Sequence, residues 1–393
     1  MSAWTPRGVL IAGGGTAGHV LPGLAIAEAL VDRSVVENQS NVYLVGSRRG
    51  IEVDLVPPTG FDLTVLPGRG IQRRLTPANL VAGIGLLFAF MRAIFLVTRR
   101  RPVVVVSLGG YASLPCVLAA VVLRVPVVVA EQNAVPGAAN RLAGRFARAC
   151  AVSFAGTDLP RSTVTGNPVR RAIRQMAESG DRARKRSEAR TALGVNARPF
   201  VVVFGGSLGA RRINQALVRV VEDWAGGPVV VEHVVGSRGW MEGLAGEVSA
   251  GGTPERAVAP APGVEYRAVK YELDMPTVLC AADLVVCRAG ATSVAELSAL
   301  GVPSILVPLP GAPGDHQMAN ARYLEDAGGA LLLPDPELDG GRLGEEMAAL
   351  LADVERLTAM ANGARIVGKP DAADRVAAVI ASVAGDGSGS QLS

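Results

Sequence analysis

The chain has 393 residues, too many for one ordinary core and about right for two domains. A hydrophobic content of 49% excludes a disordered chain, and only 4% aromatic residues leave no stacking platform for nucleic acid. The formal charge is +4, and the four cysteines form no C-x-x-C pair, so neither a zinc site nor a disulfide framework is indicated. The first residues lack the pattern of a signal peptide, and we expect the protein to stay inside the cell.

The first element is an apolar run at residues 9–12 that leads into Gly-Gly-Gly-Thr-Ala-Gly-His at 13–19. Helical spacing follows, so the stretch predicts a strand, a glycine-rich turn and a helix. Glycines let a backbone approach a ligand, and a helix N-terminus directs N–H groups and partial positive charge at it. This predicts a phosphate or oxyanion site with the titratable His19 beside it. The letters also satisfy G-x-G-x-x-G, a weak signal shared with dinucleotide-binding folds.

Strand-like and helix-like runs alternate through the first half, which indicates a doubly wound α/β sheet. The strands are nearly continuous Val, Ile and Leu, as expected when both faces of a parallel sheet are buried. The predicted strands span residues 9–12, 41–45, 62–66, 103–107, 125–130 and 150–154. The predicted helices span residues 22–33, 77–98, 113–122 and 136–145.

The order of strand, glycine loop and helix begins again in the second half, with a strand at 200–204 and the loop GGSLGA at 205–210. Further strands are predicted at residues 229–235, 264–269, 284–287, 304–307 and 330–333. The sequence therefore predicts an N-terminal domain at 1–166, a linker at 167–198 and a C-terminal domain at 199–368. We expect a final helix at 369–385 to pack back on the first domain, and a disordered tail at 386–393.

Residues 80–98 are strongly apolar apart from Arg92. Three interpretations are open for this segment: a membrane span, a helix packed on the sheet, or a helix partly exposed at an anionic membrane surface. We favour the last because arginines lie on both sides of the segment. The predicted membrane-surface residues are Arg69, Arg73, Arg74, Leu75 and Leu80.

A second group of polar residues lies in the C-terminal half. Residues 283–297 predict a strand, a tight turn and a helix whose first turn or so contains Glu296. Its carboxylate suits two ribose hydroxyls, although it also suits a helix N-terminus. The loop at 308–314 ends in Asp315, His316 and Gln317, which suit sugar hydroxyls. Simple helix capping by Asp315 is the alternative.

A dinucleotide-dependent oxidoreductase is the first functional alternative. That class expects an acidic residue after the second strand to hold a ribose. Residues 46–49 are instead Gly-Ser-Arg-Arg, with no acidic residue. A dinucleotide-dependent oxidoreductase also gives no reason for the second glycine loop at 205–210. We therefore disfavour it.

Seven ordered blocks carry a family resemblance. They are GGGTAGHVLP at 13–22, SLGGYASLP at 107–115, EQNAVPGAAN at 131–140, TGNPVR at 165–170, GGSLGA at 205–210, ADLVVCRAGATSVAE at 282–296 and DHQMANA at 315–321. On these residues the chain resembles the MurG family of peripheral glycosyltransferases, which add N-acetylglucosamine to lipid I in peptidoglycan synthesis. It departs at Ala17, where many relatives have glycine, at 291–293, where ALT is common, and at the proline- and glycine-rich loop 308–314.

The resemblance implies a GT-B fold, in which two doubly wound Rossmann-like domains face each other across a cleft. It implies that UDP-N-acetylglucosamine is held mainly by the second domain, with Arg170 and Ser207 on the diphosphate, Glu296 on the ribose and Gln317 on the sugar. A contact to uracil near Glu272 rests on a weaker match. The implied donor-binding residues are Thr16, Ala17, Gly18, Asn133, Arg170, Ser207, Ala291, Thr292, Glu296 and Gln317.

The implied reaction is an inverting transfer to the C4 hydroxyl of the muramyl sugar of lipid I, at the cytoplasmic face of the cell membrane. We predict His19 as the general base, the alternative being that it only shapes the loop. His316 is a possible substrate ligand, and His233, inside a strand, is expected to be structural. The chain has no D-x-D triplet, so we expect no catalytic metal. We also expect no cofactor.

Three rival functions remain open from the sequence. A UDP-N-acetylglucosamine 2-epimerase and a natural-product glycosyltransferase would use the same fold. A non-enzymatic, membrane-associated scaffold would use neither substrate.

Overall fold

A computed structural model describes residues 8–48, 50–67, 77–178, 180–206, 208–243 and 258–389, without the side chains of 77–84 and 386–389. The predicted site residues Arg69, Arg73, Arg74, Leu75 and Ser207, and the side chain of Leu80, lie outside this description. The chain divides into two compact units. The first contains the residues up to Arg170 and those from Asp371 onward, and the second runs from Arg171 to Pro370.

The first unit is built on a parallel sheet in the order β3-β2-β1-β4-β5-β6-β7. Its strands are β1 Val9–Gly13, β2 Val42–Ser47, β3 Asp62–Leu66, β4 Val104–Gly109, β5 Val127–Glu131, β6 Ala149–Val152 and β7 Ser162–Val164. Its helices are α1 Ala17–Asp32, α2 Glu52–Leu55, α3 Pro77–Arg100, α4 Ser113–Val122, α5 Ala138–Gly144 and α15 Ala372–Gly389.

The second unit has a parallel sheet in the order β10-β9-β8-β11-β12-β13. Its strands are β8 Phe200–Phe204, β9 Val229–Val234, β10 Val264–Val269, β11 Leu284–Cys287, β12 Ser304–Leu306 and β13 Ala330–Leu332. Its helices are α6 Arg171–Glu178, α7 Arg182–Ala192, α8 Arg211–Glu222, α9 Ser237–Met241, α10 Met275–Ala281, α11 Ala291–Leu300, α12 His316–Asp326, α13 Gly340–Ala352 and α14 Val354–Val367.

These two parallel sheets confirm the predicted class of two doubly wound α/β units. The central strands are buried on both faces, as their unbroken Val, Ile and Leu runs indicated. Strand β7 was not predicted, because its three residues are exposed and carry no apolar pattern. Helix α1 begins at Ala17 rather than residue 22 and contains Pro22.

The segment at 167–198, predicted as a linker, contains α6 and α7 of the second unit. Ile173 and Ala177 of α6 are buried. Arg190 of α7 donates to Asp283 Oδ2 at 2.9 Å, which ties the helix to the residue before β11. At the other end of the chain, α15 packs against α1 within the first unit and continues to Gly389, beyond the predicted end at 385.

Candidate active site

The first candidate region lies between β1 and β4, where the strand order of the first sheet changes direction. Ligands of open parallel sheets bind outside the carboxyl ends of the strands at such a switch point. Gly13 at the end of β1 pairs with Gly109 at the end of β4, after a shift in register. The loops that follow these two strands therefore lie side by side.

Two glycines allow the loops to approach so closely. A Cβ added to Gly13 would lie 2.5 Å from the Cβ of Leu108, and one added to Gly110 would lie 2.7 Å from the carbonyl oxygen of Gly14. Gly110 also has a φ of +77°, which residues with a side chain rarely adopt. A larger residue at either position would force the loops apart.

A buried carboxylate holds the first glycine loop from another side. Glu52, the first residue of α2, is 2% exposed. Its Oε2 accepts the N–H of Gly15 at 3.0 Å. Its Oε1 accepts the N–H of Ser47 at 2.5 Å and the hydroxyl of Ser47 at 3.1 Å. Hydrogen bonds to an ionised acceptor are stronger than neutral ones, so this carboxylate fixes the loop.

Glycines also provide the space for Glu52. A Cβ on Gly14, Gly46 or Gly50 would lie 2.5 Å or less from an atom of the Glu52 side chain. The sequence had assigned the glycines of the first loop to the approach of a ligand. The structure shows that Gly14 accommodates a side chain of the protein, and that the N–H of Gly15 is already bound to an internal anion.

His19 lies in the first turn of α1, where Thr16 is the N-cap residue. Thr16 Oγ1 and His19 Nδ1 are 3.2 Å apart, and the Thr16 side chain makes no capping bond to the helix backbone. On the other side of the ring, a Cβ on Gly109 would lie 3.4 Å from His19 Nε2. The imidazole therefore lies at the switch point, between Thr16 and the end of β4.

A buried polar network occupies the carboxyl end of β5. Glu131 accepts the backbone N–H of Asn133 at 2.9 Å through Oε1, and the side-chain N–H of Asn140 at 2.9 Å through Oε2. Asn140 in turn accepts the hydroxyl of Ser107 at 2.7 Å. The sequence singled out Asn133, and the structure adds Glu131 as the residue that fixes its position.

The site residues predicted in the first unit are thus placed at one edge of its sheet. Thr16, Ala17, Gly18 and His19 follow β1, and Asn133 follows β5. Arg170 is half-buried and follows β7 after the buried residues 165–169.

The second candidate region is the switch point between β8 and β11 of the other sheet. The loop after β8 lies against the end of β9. A Cβ on Gly209 would lie 2.2 Å from the carbonyl oxygen of Val235, and Gly209 has a φ of +84°. The glycine is therefore required by a close approach of two backbone segments.

A buried triad supports this loop from beneath. His233 is fully buried, and burial lowers its pKa to about 3, so the imidazole is neutral. Asn214 gives its amide N–H to the Val235 carbonyl at 2.9 Å, which leaves its Oδ1 to accept from His233 Nε2 at 3.1 Å. His233 Nδ1 then accepts the hydroxyl of Tyr266 at 2.7 Å. This arrangement agrees with the structural role expected for His233.

Helix α11 begins directly at the second switch point, with Gly290 as its N-cap. Ala291 and Glu296 are buried, and Thr292 Oγ1 is a buried hydroxyl without a hydrogen-bond partner in the described part of the chain. Glu296 is the sixth residue of the helix, so it lies in the second turn and not in the first. A simple interaction with the helix N-terminus therefore does not explain its position.

The loop after β12 carries Gln317 to the same edge. Gln317 Oε1 accepts the backbone N–H of Leu309 at 2.9 Å. Asp315 occupies the N-cap position of α12 but makes no side-chain capping bond, so the capping alternative is not supported. Asn320, fully buried, donates to the carbonyl of Ala289 at 3.1 Å and joins α12 to the turn before α11.

Sequence reasoning also missed a buried ion pair behind this turn. Arg288 donates to Asp335 and to the carbonyl oxygen of Pro308 at 3.2 Å. Arg212 lies 3.0 Å from the other oxygen of Asp335. Nothing local in the sequence links these residues, since Arg288 and Asp335 are 47 positions apart. Within the described ranges, no group of three or more His, Cys, Asp or Glu is arranged to hold a metal ion.

Helix α3 has one exposed apolar face. Leu87, Phe88, Met91 and Phe95 are 57% to 65% exposed, whereas Ala89, Ala93 and Leu96 are buried. The exposed Arg92 and Arg99 extend the same face. No helix in the part of the chain that the structure describes combines the length and apolarity needed to cross a bilayer.

Comparison with known proteins decides the family. Residues 9–152 match the glycosyltransferase family 28 N-terminal domain, and residues 200–376 match the C-terminal domain of that family. A UDP-N-acetylglucosamine–N-acetylmuramyl-(pentapeptide) pyrophosphoryl-undecaprenol N-acetylglucosamine transferase from Desulforudis audaxviator is 41% identical over 392 residues, covering 96% of this chain and 99% of the relative. The chain belongs to the MurG family.

Solved structures agree with this assignment. The crystal structure of Acinetobacter baumannii MurG superposes with a TM-score of 0.72 at 28% identity, covering 95% of this chain and 99% of that one. The UDP-GlcNAc 2-epimerase of Neisseria meningitidis reaches a TM-score of 0.62 at 13% identity, covering 95% of this chain and 99% of that one. Identity this low shows a shared fold alone. MurG membership confirms the expected GT-B architecture and glycosyltransferase class.

Proposed function

We propose that this chain transfers N-acetylglucosamine from UDP-N-acetylglucosamine to the C4 hydroxyl of the muramyl sugar of lipid I, in peptidoglycan synthesis. The products are lipid II and UDP. The observation that carries the proposal is the match over nearly the full length, at 41% identity, to a transferase named for this donor and this acceptor. The two switch points, with His19 at one and Glu296 near the other, provide suitable chemistry.

In the reaction, the C4 oxygen of the acceptor attacks the anomeric carbon of the donor. The bond from that carbon to the diphosphate oxygen breaks, the configuration inverts, and the hydroxyl proton passes to His19. A hydroxyl is a poor nucleophile at neutral pH, so a positioned base accelerates the step. In our proposal Nδ1–H of His19 donates to Thr16 Oγ1, and Nε2 takes the proton.

The second unit holds the nucleotide in this proposal. Glu296 binds the ribose hydroxyls, and Ala291 and Thr292 cover the uridine. Gln317 contacts the sugar, and Ser207 binds the diphosphate.

The first unit contributes the remaining contacts to the donor. Arg170 binds the diphosphate, and Asn133 approaches the sugar and diphosphate together with Thr16, Ala17 and Gly18. Buried Glu296 and the buried Thr292 hydroxyl support this division, because such groups suit a ligand with many hydroxyls.

Replacing Glu296 with alanine should raise the Kd for UDP roughly 10-fold or more, since hydrogen bonds to an ionised group contribute about 1.5–3 kcal/mol. Isothermal titration calorimetry measures this affinity. Glu355→Ala, an exposed glutamate on α14 of the same unit, is the matched control and should bind UDP like the wild type. Equal affinity in Glu296→Ala and Glu355→Ala would remove Glu296 from the nucleotide site, whereas no UDP binding by any of the proteins would favour a non-enzymatic scaffold.

The exposed face of α3 is proposed to lie on the anionic cytoplasmic surface of the cell membrane, where the polyprenyl chain of the acceptor is anchored. Leu87, Phe88, Met91 and Phe95 supply the apolar contact, while Arg92 and Arg99 supply charge. An amphipathic face of this composition binds at a lipid interface without crossing it. The protein is then a peripheral membrane protein.

Changing Phe88, Met91 and Phe95 together to serine should weaken binding to vesicles of anionic phospholipid by more than about 10-fold, because the full burial of even one side chain of this size contributes about 1.5–3 kcal/mol. Co-sedimentation with the vesicles measures the effect. Val354→Ser with Ile366→Ser removes two exposed apolar residues from the second unit and serves as control. Equal sedimentation of the two variants would contradict the role of α3.

The transfer assay tests the function as a whole. Labelled UDP-N-acetylglucosamine is incubated with a lipid I analogue, and the label is followed by chromatography. Label in a disaccharide product supports the proposal. Conversion of the donor to its C2 epimer would support the epimerase instead, and an unchanged donor would support the scaffold.

A further inference from the structure

Two buried carboxamides in the first unit have hydrogen-bonding atoms without partners. Asn167 is 5% exposed, and neither its Nδ2 nor its Oδ1 has a partner in the described part of the chain. Gln132 is 2% exposed, and its Oε1 is likewise without one, although its Nε2 donates to the Ala130 carbonyl at 2.8 Å. Leaving a buried polar group unpaired costs about 1–3 kcal/mol, so each such group needs a reason.

Both side chains lie at the ligand-binding edge of the sheet. Gln132 directly follows β5, and Asn167 follows β7 after the turn at Gly166, which has a φ of +87°. The ends of the strands are tied together. Ser153, after β6, gives its N–H to the Glu131 carbonyl at 3.1 Å, and Thr165, after β7, gives its N–H to the Val152 carbonyl at 2.9 Å.

The neighbouring polar residues at this edge make Asn167 and Gln132 unusual. Asn140, equally buried, has its Oδ1 bound to Ser107 and its Nδ2 to Glu131. Both polar atoms of the Asn140 side chain thus have hydrogen-bond partners. Among the described residues, Asn167 and Gln132 have polar atoms without one. With a strand spacing of about 4.8 Å, the ends of β5 and β7 are about 10 Å apart along the edge, which is the scale of one sugar residue between two side chains.

These unpaired polar atoms define which hydrogen-bonding groups a ligand must carry. Oε1 of Gln132 and Oδ1 of Asn167 require hydrogen-bond donors, and Nδ2 of Asn167 requires an acceptor. A hydroxyl is both donor and acceptor, so of a pair of sugar hydroxyls one donates to Oδ1 of Asn167 and the other accepts from its Nδ2. Phosphate is not suited to the two carbonyl oxygens, because it offers few or no donors.

We infer that Asn167 and Gln132 form a sugar-hydroxyl subsite in the first unit, an inference that rests on the proposed sugar transfer. The ligand is the hydroxyl-bearing edge of a sugar residue, which comes either from the donor or from the acceptor. A site that binds a hydroxyl by buried polar groups rejects an analogue lacking it, because those groups are again left unpaired. Asn167 and Gln132 are then specificity residues for the transfer.

The first test separates a ligand role from a structural one. Asn167→Leu and Gln132→Met replace side chains that have unpaired polar atoms by apolar side chains of similar size. In the ligand-free protein their Tm should equal or exceed that of the wild type. Asn140→Leu, the matched control, removes engaged hydrogen bonds and should lower the Tm. If Asn167→Leu lowers the Tm as much as Asn140→Leu does, Asn167 is a structural residue and the inference fails.

The second test identifies the sugar. kcat/KM is measured for wild type and Asn167→Leu with UDP-N-acetylglucosamine, its 3-deoxy and 4-deoxy analogues, and a lipid I analogue with and without its muramyl 6-hydroxyl. Asn167→Leu should reduce kcat/KM at least 10-fold with the complete substrates. The reduction should shrink with a deoxy compound that lacks a hydroxyl bound by Asn167 and should stay at its full size with the others, which assigns the subsite to donor or acceptor. Equal kcat/KM for both proteins with every substrate would overturn the inference. Absence of transfer by the wild type would instead overturn the proposed function.

Discussion

His19→Ala should lower kcat by about 100-fold or more, because general-base catalysis by a positioned side chain contributes on this scale. The Thr16 hydroxyl, 3.2 Å from Nδ1, and the end of β4 on the Nε2 side orient the ring. Since a base acts in the transition state, KM for both substrates should change little. Steady-state rates with the lipid I analogue measure these constants.

The folded state provides the control for this variant. Circular dichroism and the Tm of His19→Ala should match those of the wild type, so that the loss of rate reports the missing base and not a lost fold. A correctly folded His19→Ala protein with only a few-fold lower kcat would show that His19 shapes the loop and is not the base.

Glu52→Gln should destabilise the protein by about 2–4 kcal/mol, because a buried carboxylate that accepts three hydrogen bonds is replaced by a group that is partly a donor. The amide nitrogen of glutamine would face the N–H of Gly15 or the N–H and hydroxyl of Ser47. Urea unfolding monitored by circular dichroism measures the change. Because the glycine loop precedes His19, kcat should fall as well.

A matched control is available in the same unit. Glu37→Gln changes an exposed glutamate and should leave both stability and kcat unchanged. Glu52→Asp, which keeps the charge, should recover part of the stability lost in Glu52→Gln. If Glu52→Gln unfolds at the same urea concentration as Glu37→Gln, the carboxylate does not hold the loop.

The strands could be predicted because burial on both faces requires continuous apolar residues, as in 103–107 and 200–204. Motif blocks likewise predicted Asn133 directly after a strand and Gln317 at the start of a helix. Glu52 could not be predicted, since its partner Gly15 is 37 residues away and no local pattern marks the contact. The apolar helix α3 was predicted from composition, but only its packing shows that Phe88 and Phe95 lie outward and Ala89 and Ala93 inward.

The last helix has a consequence for how the chain acquires its structure. Val376, Ala377 and Ile380 of α15 are buried in the same core as Ile26 and Leu30 of α1. Synthesis proceeds from the N-terminus, and domains generally fold as units while they emerge. The first unit cannot complete its core until residues 372–380 have left the ribosome, after the whole second unit. Until then the part of α1 that packs against α15 is uncovered, and the nascent chain exposes these apolar side chains to aggregation.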